Sequence, residues 1–286
     1  MNFDNTKPIL VFGGPYSNLQ ATQAMHHEAQ RLCIAPSQII CTGDVVAYAA
    51  NPEETTQNIR DWGIHVVAGN CEEQLAEGAK DCGCGFEEGS VCDLLSRAWY
   101  PFALSQISTA SQAWMADLPK SLRFTYCGLD VHVLHGGREQ TNRFIFGSEH
   151  AILEEESSAI NADLVLAGHA GIPFVNRMKR ATWVNAGVIG IPANDGTPDV
   201  WYALLEPAED QQHAQVSLKR LSYDHVTAAA IMRKSGHANG YARSILTGIW
   251  PSHDVLPQAE LDQTGKKLRQ RTAKITATMK RVPEVA

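Results

Sequence analysis

Four polar residues, each beside a glycine, stand at the ends of apolar runs in this chain. They are Asp44 in Gly43-Asp44, Asn70 in Gly69-Asn70, His135 in His135-Gly136 and His169 in Gly168-His169. A carboxylate, an amide oxygen and two imidazoles make a mixed oxygen and nitrogen donor set of the kind that suits manganese, iron or zinc. Glycine at each place lets the backbone turn tightly and carry the side chain over a sheet edge. Any one such pair is uninformative, because the same dipeptides serve as ordinary turns. Four in succession are a stronger signal for one shared cation. On the residues alone, four unrelated capping and turn residues stand as an equal reading.

Positioning these side chains needs strands that end where they begin. Residues 8–12, 39–42, 65–68, 130–134 and 163–167 are short apolar runs bounded by glycine or polar residues, and they read as buried strands. Helices are expected after Asn18, which can cap the first, and over 52–62 and 149–160. Residues 71–118 read as a mainly helical insertion broken by a Gly- and Cys-rich loop at 78–90. Residues 122–126 and 130–134 flank Cys127-Gly128-Leu129 and suggest a hairpin. Further strands are expected at 182–185, 200–205 and 215–221. Strands alternating with helices predict a parallel sheet, whose C-terminal rim is where ligands bind. All four candidate donors would lie on that rim.

From Val226 onward the chain reads as helical and peripheral, giving a body over 1–225 and an extension over 226–286. Leu268, Ile275, Met279 and Val282 approximate one apolar face. The tail is therefore expected to be a helix packed on the body or on a second copy, or else a frayed solvated end. Association into homo-oligomers is left open by that face.

Composition narrows the class. Of 286 residues, 44% are hydrophobic and 19% charged, which is enough apolar material to order a globular chain. No apolar run reaches the roughly 18 residues of a membrane span. The first seven residues are polar and lack the apolar core of an export signal. Seven cysteines, an odd number, then read as reduced thiols in a cytoplasmic protein. The net charge is −7, from 24 Lys and Arg against 31 Asp and Glu. Lys266, Lys267, Arg269, Arg271, Lys274, Lys280 and Arg281 lie in a stretch without Asp or Glu, and setting those seven aside leaves the remainder at −14. So acidic a body is a poor general binder of nucleic acid, whose affinity comes largely from phosphate neutralisation.

The blocks Gly43-Asp44-Val45-Val46, Gly69-Asn70-Cys71-Glu72, His135-Gly136 and Gly168-His169 resemble, in order, those of the calcineurin-like metallophosphoesterases. Asn185-Ala186-Gly187-Val188-Ile189-Gly190 is similar to that family's Asn-x-Gly-Ser-x-Gly strand end. Tyr16-Ser17-Asn18-Leu19-Gln20-Ala21 sits where the family has His-Gly-Asn-Leu-x-Ala. The resemblance spans roughly residues 8–220 and is nearest the compact bacterial phosphodiesterase-like branch. It implies an α/β fold, a four-layer α/β/β/α sandwich of two mixed sheets flanked by helices. It also implies hydrolysis of a small phosphate mono- or diester by metal-bound water. The matching ligands would be Asp44, Asn70, His135 and His169, with Asp44 also the residue that serves catalysis. Both histidines would be neutral ligands and not general bases.

The chain departs from the family at the other metal. Gly14-Pro15-Tyr16 stands where the family has Asp-x-His, and Gly168-His169-Ala170-Gly171 where it has Gly-His-x-His. A carboxylate and two imidazoles are absent together. Three readings follow. One is a phosphoesterase with a single divalent transition metal per chain. In a second, Tyr16, or Cys82 and Cys84 with Cys71 or Cys92, rebuild the missing site. The third is an inactive member of the fold that binds a phosphorylated ligand or partner. Candidates for holding the substrate are Tyr16, Asn18 at a helix N-terminus and Arg138, with Arg143 nearby. Helix capping for Asn18 and surface pairing for Arg138 are the ordinary alternatives. The Cys82-Gly83-Cys84 loop is either a thiolate or redox-sensitive site or a Gly-rich loop with unreactive thiols. Asn185 serves either to support the metal site or to shape a turn.

Overall fold

The computed structural model describes residues 3–209 and 213–277. Strands β1 (Ile9–Phe12), β2 (Ile39–Cys41) and β3 (His65–Val66) run parallel to one another. Every side chain of β1 and β2 is buried, which is why these runs are apolar without alternation. Strand β4 (Ser121–Tyr126), at the edge of a second sheet, alternates exposed and buried residues instead. It turns back into β5 (Leu129–Leu134) through Cys127 and Gly128, both at positive φ, as a two-residue hairpin requires. Strands β6 (Leu164–Ala167), β7 (Phe174–Arg177) and β8 (Thr182–Asn185) complete that sheet in the order β4-β5-β6-β8-β7. In it β5, β6 and β8 are parallel, while β4 and β7 are antiparallel to their neighbours.

The first sheet is extended by β9 (Val200–Pro207), β10 (His213–Leu221) and β11 (Arg271–Thr276), all antiparallel, in the order β11-β10-β9-β1-β2-β3. The first sheet is thus parallel in one half and antiparallel in the other, and the second has a parallel centre flanked by antiparallel strands, where the strand–helix alternation alone predicted only parallel pairing.

The two-residue period of the strands sorts side chains into separate cores. Ile9, Val11 and Ile40 face Val131, Leu166, Val184 and Trp201 between the two sheets. Leu10, Phe12 and Ile39 point the other way, against helices. Val165 and Trp183 leave the second sheet toward α6 (His150–Ile160), where Leu153 and Ile160 cover them. The result is the four-layer α/β/β/α sandwich with mixed sheets.

Helix α1 (Leu19–Arg31) is capped by Asn18, whose Oδ1 accepts from the Ala21 amide at 3.2 Å, and buries Ala21, Met25 and Ala29 along one stripe. Helix α2 (Pro52–Trp62) opens on proline and closes on a left-handed Gly63. Helices α3 (Asn70–Glu77), α4 (Val91–Gln106) and α5 (Thr109–Ala116) form the insertion, with the Cys-rich loop between α3 and α4. After β10 come α7 (His225–Ser235), α8 (Asn239–Thr247) and the short α9 (Gln258–Leu261).

The basic tail is corrected by the structure. Residues 271–276 are not helical: they pair with β10, Ile275 opposite Ala214, and Ile275 is fully buried. A free sheet edge beside Ala214 and Val216 offers Ile275 a buried place that the sequence spacing could not reveal. Met279, Lys280, Arg281 and Val282 lie outside the described residues.

Candidate metal centre

The four polar residues leave the C-terminal ends of strands in both sheets. Asp44 follows β2, Asn70 opens α3 just beyond β3, His135 follows β5 and His169 follows β6. The rims abut: His135, from the second sheet, sets its Nδ1 2.6 Å from the carbonyl of Thr42, which follows β2 in the first. Asn185, at the end of β8, donates to the Gly168 carbonyl at 2.7 Å and accepts from Gly187 at 2.9 Å, so it both supports His169's loop and shapes its own turn.

Asp44 and His169 are themselves at positive φ, 55° and 57°. Non-glycine residues take that region at a cost of roughly 1–3 kcal/mol, and such residues gather at functional sites. Gly43 precedes Asp44 at φ 93°, where a Cβ would stand 2.7 Å from the Gly69 amide and 2.8 Å from His135 Nδ1. Only glycine fits there.

All four side chains are buried. His135 Nε2 lies 3.2 Å from Asp44 Oδ2 and 3.0 Å from His169 Nδ1, and His169 Nδ1 lies 3.8 Å from the same Asp44 oxygen. Among the described residues this is the one group of three or more His, Cys, Asp or Glu side chains whose donor atoms converge within 4.8 Å. His135 Nδ1 sits 2.6 Å from the Thr42 carbonyl, which can only accept, so Nδ1 carries the proton. Nε2 then presents its lone pair to the cluster unless the ring is charged.

Burial alone would push His135 down, but the Asp44 carboxylate and the Thr42 carbonyl outweigh it and hold its pKa above the usual imidazole value. Burial pushes His169 down, and the neighbouring His135 charge adds to that. Burial also opposes ionisation of Asp44, yet the two imidazoles hold its carboxyl well below the usual range.

Asn70 reaches the same place. The amide of its neighbour Cys71 donates to Asp44 Oδ1 at 3.3 Å. Its own Nδ2 donates to the Cys82 carbonyl at 2.9 Å and approaches Cys84 Sγ at 3.3 Å, while its buried Oδ1 has no hydrogen-bond partner. A carboxylate, two ring nitrogens and, on the residue next to Cys71, an orphaned buried amide oxygen are donor types that together fit a divalent transition metal.

Cys71, Cys82 and Cys84 surround the Asn70 amide, but their sulfurs do not converge as ligands. Burial pushes the Cys84 thiol up, and the hydrogen bond from Cys84 together with burial raises Cys82. They hold Asn70's amide as neutral thiols. Cys92, in α4, stands apart and lines a cleft beyond His169. Tyr16 is buried at φ 50°, and its ring packs tilted against Tyr48 with centroids 4.7 Å apart; burial first, and the Asp44 charge second, keep its phenol neutral. Asn18 spends both ends of its amide on protein, capping α1 and donating to the Gly190 carbonyl at 2.9 Å. Arg138 is half exposed and paired with Glu139, and Arg143 pairs with the buried Glu156.

Glu72 is a central residue that sequence reasoning passed over. Its carboxylate accepts from the backbone amides of Asp44 at 2.7 Å, Gly69 at 2.9 Å and Val46 at 3.2 Å, tying the loops of Asp44 and Asn70 together. Burial and the Asp44 charge push it up to about 7. The signal was its place three residues after Gly69, the acidic position of a capping box. Phe144, packed on His169 with ring centroids 4.1 Å apart, had no such signal.

The model of the calcineurin-like phosphoesterase superfamily domain matches residues 17–210, and this chain belongs to that superfamily. Among structures, it is similar to a metallophosphoesterase from Sphaerobacter thermophilus, with a TM-score of 0.66, 22% identity and coverage of 85% of this chain and 100% of that one. It is likewise similar to the hypothetical protein PH1004 from Pyrococcus horikoshii, with a TM-score of 0.68, 14% identity and coverage of 85% and 99%. In sequence it is 24% identical over 232 residues to the uncharacterized protein MJ0912 of Methanocaldococcus jannaschii, covering 76% of this chain and 88% of that protein. Among the described residues, no helix is long and apolar enough to cross a membrane.

Proposed function

We propose that this protein hydrolyses a small phosphate mono- or diester with one divalent transition metal held by Asp44, Asn70, His135 and His169. The observation that carries the reading is the cluster of inward-facing acceptors: an Asp44 oxygen 3.2 Å from His135 Nε2, whose other nitrogen is committed to Thr42. Acceptors so close in a buried site call for a positive charge between them. Manganese, iron and zinc all suit the mixed donor set. Such an ion, when bound, lowers the pKa of water and neutralises phosphoryl charge.

The chain's own residues supply placement. Thr42 fixes the His135 tautomer, Glu72 locks the Asp44 and Asn70 loops, and the Cys82 carbonyl aims Asn70 Oδ1 inward. His135 and His169 act as neutral donors and not as bases. The acidic remainder of the chain fits a cation-binding rim better than a nucleic-acid surface. Cys33, Cys41, Cys71, Cys82, Cys84 and Cys92, as reduced thiols, fit a reducing compartment such as the cytoplasm.

The test is purification with added manganese, metal analysis, and assay of bis(p-nitrophenyl) phosphate. Metal near one ion per chain and turnover that Asp44→Ala and His169→Ala both abolish are the expected results. Turnover that persists unchanged in those variants removes the mechanism.

A second reading, a non-catalytic binder of a phosphorylated ligand, is favoured by one observation. The ground next to Gly171 is filled by Trp250, whose Cζ2 would stand 3.2 Å from a Cβ there, so no second cation ligand fits without rearrangement. Metal binding without turnover across phosphate mono- and diesters would select it.

A further inference from the structure

We propose that the cleft opening beside His169 is a subsite for a flat, uncharged aromatic ring on the alcohol side of the phosphate ester. The proposal rests on the reading of the Asp44 cluster as the phosphate-handling end. The cleft opens to solvent, and its walls include Tyr16, Tyr48, Phe144, Tyr241, Trp250 and His169 itself. His169 therefore belongs to both places, and a ligand whose charged end met the cluster would lay its next group in the cleft.

The walls dictate what that group is. No Lys, Arg, Asp or Glu lines the cleft, so a charged group would be desolvated there without a partner. Ring faces dominate: Tyr48 stacks on Tyr241 with centroids 4.3 Å apart and planes 16° from parallel, and Tyr16 leans on Tyr48 at 4.7 Å. Phe144 packs on His169 with ring centroids 4.1 Å apart. Flat faces reward a flat guest through stacking and edge contacts.

Polar atoms stand at defined points among these faces. Tyr16 and Tyr241, 3% and 5% exposed, each bring a phenol to this lining. Burial keeps both phenols neutral. A neutral phenol hydroxyl can donate to or accept from polar atoms on the edge of a bound ring.

The site is built in advance. Trp250 is held by its Nε1 donating to the Pro192 carbonyl at 2.6 Å and by its amide donating to Asn194 Oδ1 at 2.9 Å. Tyr16 and Tyr48 both sit at positive φ, 50° and 30°, which turns loops after β1 and β2 so that both rings line the void. Fixed walls reduce the ordering cost of binding.

The test measures binding, so it does not depend on turnover. Phenylphosphonate and methylphosphonate carry the same head and neither is a phosphate ester. Each is titrated by calorimetry into the manganese-supplemented full chain, into Trp250→Ala, Trp250→Phe and Asp44→Ala. Phenylphosphonate should bind at least about tenfold more tightly than methylphosphonate, as burial of one ring supplies. Trp250→Phe should keep most of that preference and Trp250→Ala should lose it. Equal affinities, or a preference that Trp250→Ala leaves intact, overturn the subsite. Equal affinities that both vanish in Asp44→Ala overturn the subsite while sparing the cation reading. A phenyl preference that is indifferent to manganese and to Asp44→Ala keeps the subsite and removes the cation reading. If neither phosphonate binds, both fall.

Discussion

His135 Nε2 and His169 Nδ1 face each other across 3.0 Å, above a single oxygen of Asp44. Two ring nitrogens and a carboxylate oxygen are three acceptors unless a proton or a metal ion intervenes. The Thr42 carbonyl removes the freedom to escape by tautomer exchange, because it claims the His135 Nδ1 proton. The triangle is therefore organised around positive charge, and each residue that shapes it makes a measurable prediction.

In the proposed site Asn70 would be the fourth donor. Asn70→Ala should fold, losing one hydrogen bond to the Cys82 carbonyl worth about 1 kcal/mol. Its manganese affinity should fall by at least about tenfold, the lower end of what even an outer partner contributes. Calorimetric titration reads the change; wild-type affinity in the variant would mean that Asn70 Oδ1 is no ligand.

A metal ion held as proposed would compete with a proton for His135. Its folded pKa lies above the usual imidazole value. In the metal-free protein, the charged His135 therefore adds stability that is full below the unfolded pKa of roughly 6.5 and fades as pH rises through the folded value. Metal affinity has the opposite slope: it should weaken as pH falls through that raised pKa, with proton release on binding. Thermal melts with and without manganese across that window should cross in slope; parallel profiles would contradict the shared position.

Glu72 holds three backbone amides in the interior. Glu72→Ala leaves all three without their acceptor, at about 1–3 kcal/mol for each group that water cannot reach. A loss of at least about 3 kcal/mol in urea unfolding is expected on that scale. Glu72→Gln should be milder, since an amide oxygen can still accept. A variant as stable as wild type would show that these loops are held elsewhere.

Gly171 lies at φ 71° with Trp250 against its open side. Gly171→His alone should bind no second metal ion and should destabilise the fold, because strain and the indole oppose the new side chain. Combining it with Gly14→Asp, Tyr16→His and Trp250→Ala clears the ground. Metal analysis rising from about one ion toward two only in the combined variant is the expected outcome for a family whose chemistry admits paired metals.

Much of the fold was legible because its signals are local. Buried strands announce themselves as short apolar runs, Asn18 as a cap, and Cys127-Gly128 as a tight turn. The edge strand β7, Phe174–Arg177, escaped because only its first residue is buried and it has no alternating pattern. The tail at 271–276 misled because a few spaced apolar residues suit a helix or a strand equally, and pairing with β10 made the choice.

What the amino-acid order determined by itself was the set of donor types and their station at strand ends, since apolar runs and glycines act over a few residues. Tertiary structure decided the rest. It brought donors from two different sheets into one triangle, chose Thr42 to set a tautomer and Glu72 to bind the loops, and laid Trp250 against Gly171 from some eighty positions away. Those relations depend on how sheets stack and where a distant segment returns, and no short stretch of chain encodes them.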